Sequence, residues 1–77
     1  MRYFFHVNDS IARTEDSEGV ELADMTQVRR EAHRILAEIA RHELGAFAHT
    51  LSIKVHLADG ESVYEATLTI TGSAGQK

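Results

Sequence analysis

The 77-residue sequence has no cysteine, no tryptophan and no apolar run long enough to span a membrane. Without cysteine, the chain can form neither a disulfide bond nor a thiolate zinc site. The apolar stretch near the N-terminus is interrupted by His6 and is too short for a signal peptide. We therefore expect a cytoplasmic protein with no membrane segment. A chain this short forms one domain with a thin core, and self-association is the expected source of added stability.

Patterns that carry catalysis or bind cofactors are also missing. The sequence contains neither a glycine-rich phosphate loop nor a nucleophile elbow. Glu15, Asp16 and Glu18 cluster in a predicted loop, where solvated acids are a simpler interpretation than paired catalytic groups. No two histidines have the spacing of a zinc motif, although His6 and His56 could approach each other if their strands are neighbours. We therefore predict no enzymatic activity, no cofactor and no metal site.

The order of hydrophobic patterns predicts an α+β fold with the element order β-β-α-β-β. Residues 2–8 alternate between two faces and indicate a strand, and residues 11–15 indicate a second, more polar strand. Gly19 has the position of a turn or bulge glycine in the loop that follows. We expect a two-layer sandwich with one helix on one face of an antiparallel sheet. The single domain should occupy residues 1–71, and residues 72–77 should form a flexible C-terminal tail.

The helix is predicted over about residues 24–44. Asp24 suits its N-cap position, and Gln27 three residues later completes a capping-box pattern. Gly45 fits the left-handed residue that ends many helices. Glu43 falls near the centre of the apolar stripe, so the helix end should extend beyond the sheet. The stripe itself consists of Met25, Val28, Ala32, Ile35, Leu36, Ile39 and Ala40.

The last third of the chain has the pattern of a β-hairpin. Apolar residues alternate with polar ones before Asp59-Gly60, which predicts a two-residue type I′ turn with positive φ at both central residues. This turn would place Ala58 opposite Glu61, so that the numbers of paired residues sum to 119. Lys54 would then oppose Glu65, and a shift of one residue would expose the apolar face.

Three stretches resemble a known family: RYFFHV at 2–7, DSEGVEL at 16–22 and REA at 30–32, the last in the helix that begins at Asp24. The family consists of small proteobacterial proteins known only as a domain of unknown function. The resemblance covers residues 2–44 by motif and the hairpin by pattern, with Ser10 and Ala23 replacing a frequent glycine and proline. It implies no catalytic residue. A fold-level analogy to the antitoxins of small RNA-cleaving toxins rests on their similar helix start after a hairpin.

The opening strand is apolar on both faces, which predicts burial on both sides. If Tyr3, Phe5 and Val7 face the helix, the other parity of the strand lies on the bare face of the sheet; the reverse orientation would expose more aromatic area. An aromatic strand on a bare face suggests an interface, and a second subunit on the sheet or along its edge is the predicted partner. The candidate interface residues are Phe4, His6 and Val63.

The predicted helix also carries a basic stripe on its solvent side. One interpretation is a solvated face with Glu31–Arg34 and Glu38–His42 pairs, and the other is a contact for phosphates or an acidic partner. The net charge of −4 disfavours nucleic-acid binding. The candidate contact residues are Arg29, Arg30, His33, Arg34 and Arg41.

These observations favour a non-enzymatic protein-interaction or regulatory module that acts as a homodimer. A heterologous protein partner is the second choice for the aromatic strand. The alternative function is a nucleic-acid-associated or antitoxin-like module that uses the arginine stripe of the helix.

Overall fold

The computed structural model describes residues 1–9, 13–14, 16–43 and 48–75. Its elements in chain order are β1 (Arg2–Asp9), β2 (Arg13–Thr14), β3 (Val20–Glu21), α1 (Met25–Glu43), β4 (Ala48–Leu57) and β5 (Ser62–Thr71). The predicted α+β fold, with one helix and an antiparallel sheet in the order β-β-α-β-β, is confirmed. Within the described ranges, no helix is long and apolar enough to cross a membrane.

The sheet has the strand order β2-β1-β4-β5, and β3 pairs with β1 beside β2. β1 and β4 form its centre and pair in an antiparallel register from Tyr3↔Leu57 to Asp9↔Leu51. β4 and β5 pair along almost their whole length. Within the described residues, β5 pairs with β4 alone, so it forms one edge of the sheet.

The other edge of the sheet consists of two short strands, β2 and β3, of which only β2 lies within the predicted second strand at residues 11–15. β2 pairs at Val7↔Thr14, and β3 pairs at Tyr3↔Val20. Residues 10–12 and 15, which belong to the predicted strand and to the turn before it, lie outside the described ranges. Gly19 has φ +77°, as expected for a turn glycine, and this conformation lets the chain turn back onto β1.

The helix begins with the predicted cap. The Gln27 backbone N–H donates to Asp24 Oδ1 at 2.9 Å, and the Gln27 side-chain oxygen accepts from the Ala23 N–H at 2.9 Å. The reciprocal bond therefore reaches the residue before the N-cap rather than the N-cap residue itself. Leu44 and the predicted C-terminal Gly45 lie outside the described ranges, as does the side chain of Glu43.

The hairpin has the predicted register but a different turn. Gly60 donates its N–H to Leu57 O at 2.9 Å, and Leu57 donates to Glu61 O at 2.9 Å. Gly60 has φ +93° and Asp59 has no positive φ, so the predicted type I′ turn is wrong and the loop has three residues. A bulge then pairs His56 with Ser62 rather than Val63. These two irregularities cancel, so the pairs from Val55↔Tyr64 to Ala48↔Thr71 sum to 119 as predicted.

The core lies between the helix and the two central strands. Its buried side chains come from β1, β4 and α1: Tyr3, Phe5, Val7, Val28, Ala32, Leu36, Ala40, Leu51, Ile53 and Val55. This settles the parity of β1, because its odd-numbered residues face the helix. The apolar residues that β5 packs against this core are only partly buried: Val63, Tyr64, Ala66, Leu68 and Ile70. The helix therefore covers the centre of the sheet more completely than its β5 edge.

Candidate functional site

Three aromatic side chains meet on the outer face of the sheet, which points away from the helix. Phe4 and His56 are directly paired across β1 and β4, and their rings lie parallel with centroids 5.6 Å apart. His6 lies two residues further along β1, on the same face, and its Nε2 atom contacts Nε2 of His56. We call Phe4, His6 and His56 the outer-face cluster. The sequence placed His6 and His56 on this face, and the pairing of β1 with β4 brings them together.

The chain itself covers part of this cluster. A Cβ atom added to Gly19 would lie 3.0 Å from the Phe4 ring and 2.7 Å from Arg2 Cγ, so the loop backbone packs directly on both side chains. The Arg2 guanidinium donates to the carbonyl oxygens of Glu18 and Gly19 at 2.8 and 3.2 Å. Phe4 is consequently half-buried. Among the described residues, the large hydrophobic side chain left exposed is Met1. The expected bare aromatic patch is therefore absent from this part of the chain.

The third candidate interface residue does not join the cluster. Val63 forms the bulge of β5, is half-buried and packs against the core. β4 lies between β5 and β1, so Val63 is two strands away from Phe4 and His6. Sequence reasoning grouped it with them by strand parity alone, and the bulge changes that parity.

Asp16 fixes the loop that covers the cluster. Its Oδ2 accepts the Phe5 backbone N–H at 3.3 Å, and its Oδ1 accepts those of Glu18 and Gly19 at 3.1 and 3.0 Å. The carboxylate thus accepts the hydrogen bond of the Phe5 N–H, which lies between the parts of β1 that pair with β2 and with β3. Burial works to raise the pKa of Asp16, but these three backbone bonds and the nearby His6 lower it below its ordinary value of 3.8.

The basic stripe of α1 is partly neutralised by its own helix. Arg34 donates to the two carboxylate oxygens of Glu31 at 3.1 and 2.7 Å, so the predicted Glu31–Arg34 pair is confirmed. These bonds lower the pKa of Glu31 and raise the pKa of Arg34. Arg41 lies 3.5 Å from the Glu38 carboxylate. The other predicted pair, Glu38–His42, involves the His42 side chain, which lies outside the described ones.

The remaining stripe residues divide between two sides of the helix. His33 Nε2 lies 2.7 Å from the Tyr64 hydroxyl and so ties α1 to β5. Arg30 lines an open depression on the opposite flank, together with Leu22, Gln27, Glu31 and Arg34. Neither Arg29 nor Arg30 forms an ion pair with a described residue. The five residues of the stripe therefore do not form one continuous basic surface.

The edge strand β5 presents a second surface of interest. It is ten residues long, and its inner-facing residues Tyr64, Ala66, Leu68 and Ile70 are half-buried while its outer-facing residues from 65 to 71 are exposed. Glu65 is its one charged residue, and the strand contains no lysine and no proline. Natural edge strands commonly carry such residues to block pairing with other chains.

Comparison with known families identifies the family of this chain. The family model described as a domain of unknown function (DUF6894) matches residues 2–69. The chain belongs to the DUF6894 family. The match extends through both edges of the sheet, and so covers more of the chain than the motifs that suggested a family from the sequence. No curated protein and no solved structure matches this DUF6894 chain.

Sequence reasoning missed two features of these surfaces. Asp16 was interpreted as a solvated loop acid, although Gly19 three residues later was a signal for a tight turn that its side chain could stabilise. The open edge at β5 was missed because the hairpin pattern specifies the β4–β5 pairing but not which strand borders β1. The order β1-β4 is a long-range property that local periodicity does not contain.

Proposed function

We propose that this DUF6894 protein is a non-enzymatic protein-interaction module that acts as a homodimer, joined through the edge strands β5 of two copies. The observation that carries the proposal is a long edge strand with an unpaired side and a half-buried inner face. A second copy would complete both the hydrogen bonding and the burial of this strand. We place the interface at the sheet edge rather than on the outer face predicted from the sequence, because the loop at Gly19 packs on Phe4.

The backbone of β5 is oriented for such pairing. The hydrogen bond from Leu57 to Glu61 shows that the backbone groups of Leu57 point toward β5. Because backbone direction alternates along a strand, the odd-numbered residues of β4 and their partners Tyr64, Ala66 and Leu68 bond to each other. The N–H and C=O groups of Glu65, Thr67 and Thr69 therefore point away from β4, in the plane of the sheet. An antiparallel strand added at this edge could form hydrogen bonds with them.

In one register, which pairs most of β5 with the β5 of a second copy, the side chains of the two strands are complementary. With the twofold axis at Thr67, Glu65 faces Thr69 of the partner subunit rather than another Glu65, which avoids like-charge repulsion. On the inner face, Tyr64 would face Ile70 and Ala66 would face Leu68. Each pair joins a larger side chain with a β-branched or smaller one, and all four side chains are half-buried before association. A closed twofold dimer with one continuous sheet results.

The mass in solution tests this proposal. Light scattering across a concentration series should give twice the 8.6 kDa chain mass for the wild type. Thr67→Lys should give a single chain, because two ammonium groups would meet at the twofold axis and lysine blocks edge pairing. The matched control is Thr50→Lys, which adds the same charge at an exposed position of the central strand β4 and should leave the dimer intact.

A second variant separates the sheet edge from the outer face. Phe4→Asp should leave the dimer mass unchanged, since Phe4 lies two strands from β5. Loss of the dimer in Phe4→Asp but not in Thr67→Lys would overturn the edge interface and favour the outer face. A wild type that is monomeric at every concentration would overturn the homodimer and direct attention to a heterologous strand at the same edge.

Nucleic-acid binding stays a prediction with less support from the structure. Two of the four arginines of the stripe are paired with glutamates of the same helix, and the stripe is divided between two flanks. The net charge of −4 also opposes binding to phosphates.

A further inference from the structure

The two histidines of the outer-face cluster meet at their ring tips. His6 Nε2 and His56 Nε2 are in direct contact, the ring centroids are 4.4 Å apart and the ring planes differ by 11°. The two nitrogens thus converge on one point above the sheet, where a single proton or a single metal ion could join them. Both rings are half-buried, so this point is within reach of solvent.

A backbone contact indicates the tautomer of one ring. His56 Nδ1 lies 2.8 Å from Leu57 O, and a carbonyl oxygen can only accept, so Nδ1 carries the proton. In the neutral imidazole the lone pair is then on Nε2, the atom that points at His6. A hydrogen bond from the second ring nitrogen to a carbonyl is the usual support of a metal-binding histidine, because it sets the tautomer and orients the ring.

The surroundings hold this pair in place and are compatible with a cation. The Phe4 ring stacks on His56, and the two histidines project from the paired central strands. His6 contributes electrostatically to the lowered pKa of Asp16, so a carboxylate lies near the pair. Lys54 is directly opposite His6 in the register and its side chain is exposed, and Glu65 is its register partner on β5.

We propose that His6 and His56 bind one divalent late first-row metal ion, of the class Zn²⁺, Ni²⁺ or Cu²⁺, through their Nε2 atoms. Imidazole nitrogen is a favoured ligand for these ions. Each nitrogen would lie about 2.0–2.1 Å from zinc, so the ring tips must separate slightly toward solvent on binding. Within the described ranges, no three histidine or carboxylate side chains converge. The site therefore supplies two protein ligands, and water completes the coordination.

Calorimetric titration of the tag-free protein with Zn²⁺ tests the site. We expect one ion per chain, and a loss in affinity of about tenfold or more for each of His6→Gln and His56→Gln. His33→Gln is the matched control, because it removes a histidine that bonds to Tyr64 on the other side of the sheet. Its affinity should equal that of the wild type. Absence of Zn²⁺ binding by the wild type, or equal losses in all three variants, would overturn the proposal.

A second measurement uses the wild type alone and therefore does not require any variant to fold. Histidine ring resonances of the wild type, followed by NMR during Zn²⁺ addition, should shift first for His6 and His56. A first response from any other histidine would contradict the assignment, even if a glutamine variant proved unstable. The site is on the outer face and the proposed dimer interface is on the β5 edge, so the two proposals can fail separately.

Discussion

At the scale of single residues, Asp16 joins three backbone groups through one side chain. Its carboxylate bonds three backbone N–H groups and joins the loop that covers Phe4 to the edge of β1. The sequence pattern showed Asp16 and Gly19 but not the bond from the Phe5 N–H to Asp16. That bond depends on the gap between β2 and β3, which pair with different parts of β1. A side chain that satisfies a distant backbone donor is visible only once the fold is known.

Replacement of Asp16 by Asn should lower the free energy of unfolding by about 1–3 kcal/mol near neutral pH, since an amide cannot accept all three backbone bonds. The pKa of Asp16 is lowered in the folded protein, so its contribution is present above 3.8 and is lost as pH falls through the lower folded value. Urea unfolding at several pH values should therefore show the two proteins converging below that range. Asp59→Asn, at a single exposed bond to Glu61, is the control and should change little. A difference that persists unchanged at acidic pH would contradict this account.

At the scale of elements, local signals predicted the helix and the hairpin better than the edges of the sheet. The Asp24 cap and the apolar stripe of α1 are local patterns, and both are found as expected. The hairpin register was predicted correctly from an incorrect turn, because the extra loop residue at Gly60 is offset by the bulge at Val63. The alternating apolar face accounts for this, because a shift of one residue would move every apolar side chain of the hairpin to the outer face.

Gly60→Ala tests the revised turn. Gly60 has φ +93°, a conformation that costs an L-residue about 1–2 kcal/mol, and a Cβ there would meet no atom within 4 Å. The loss should therefore come from backbone strain alone and appear as a lower urea midpoint with an unchanged m-value. Gly72→Ala is the control, because Gly72 has open space and no positive φ. Equal stability of the two variants would show that the turn does not require a left-handed residue.

At the scale of the whole molecule, the position of the helix determines what the protein leaves open. α1 buries the inner faces of β1 and β4 and leaves β5 half-covered, while the loop around Gly19 covers part of the outer face. A chain of this size buries a smaller fraction of its surface than a larger domain does, so a shared edge would be an efficient way to add buried area. Association was predicted from the short chain length, and the proposal that it occurs at the β5 edge rests on the strand order.

If the protein dimerises through β5 as proposed, its thermal stability should depend on protein concentration. If folding and association are coupled, each tenfold increase in concentration should raise the wild-type midpoint by about 3–6 °C, since mass action favours the dimer. The midpoint of Thr67→Lys should be lower and independent of concentration, and that of Thr50→Lys should follow the wild type. Circular dichroism melts over a hundredfold range measure this directly. A constant wild-type midpoint over that range would mean that the single chain is stable without its partner, and that the half-buried face of β5 serves another contact.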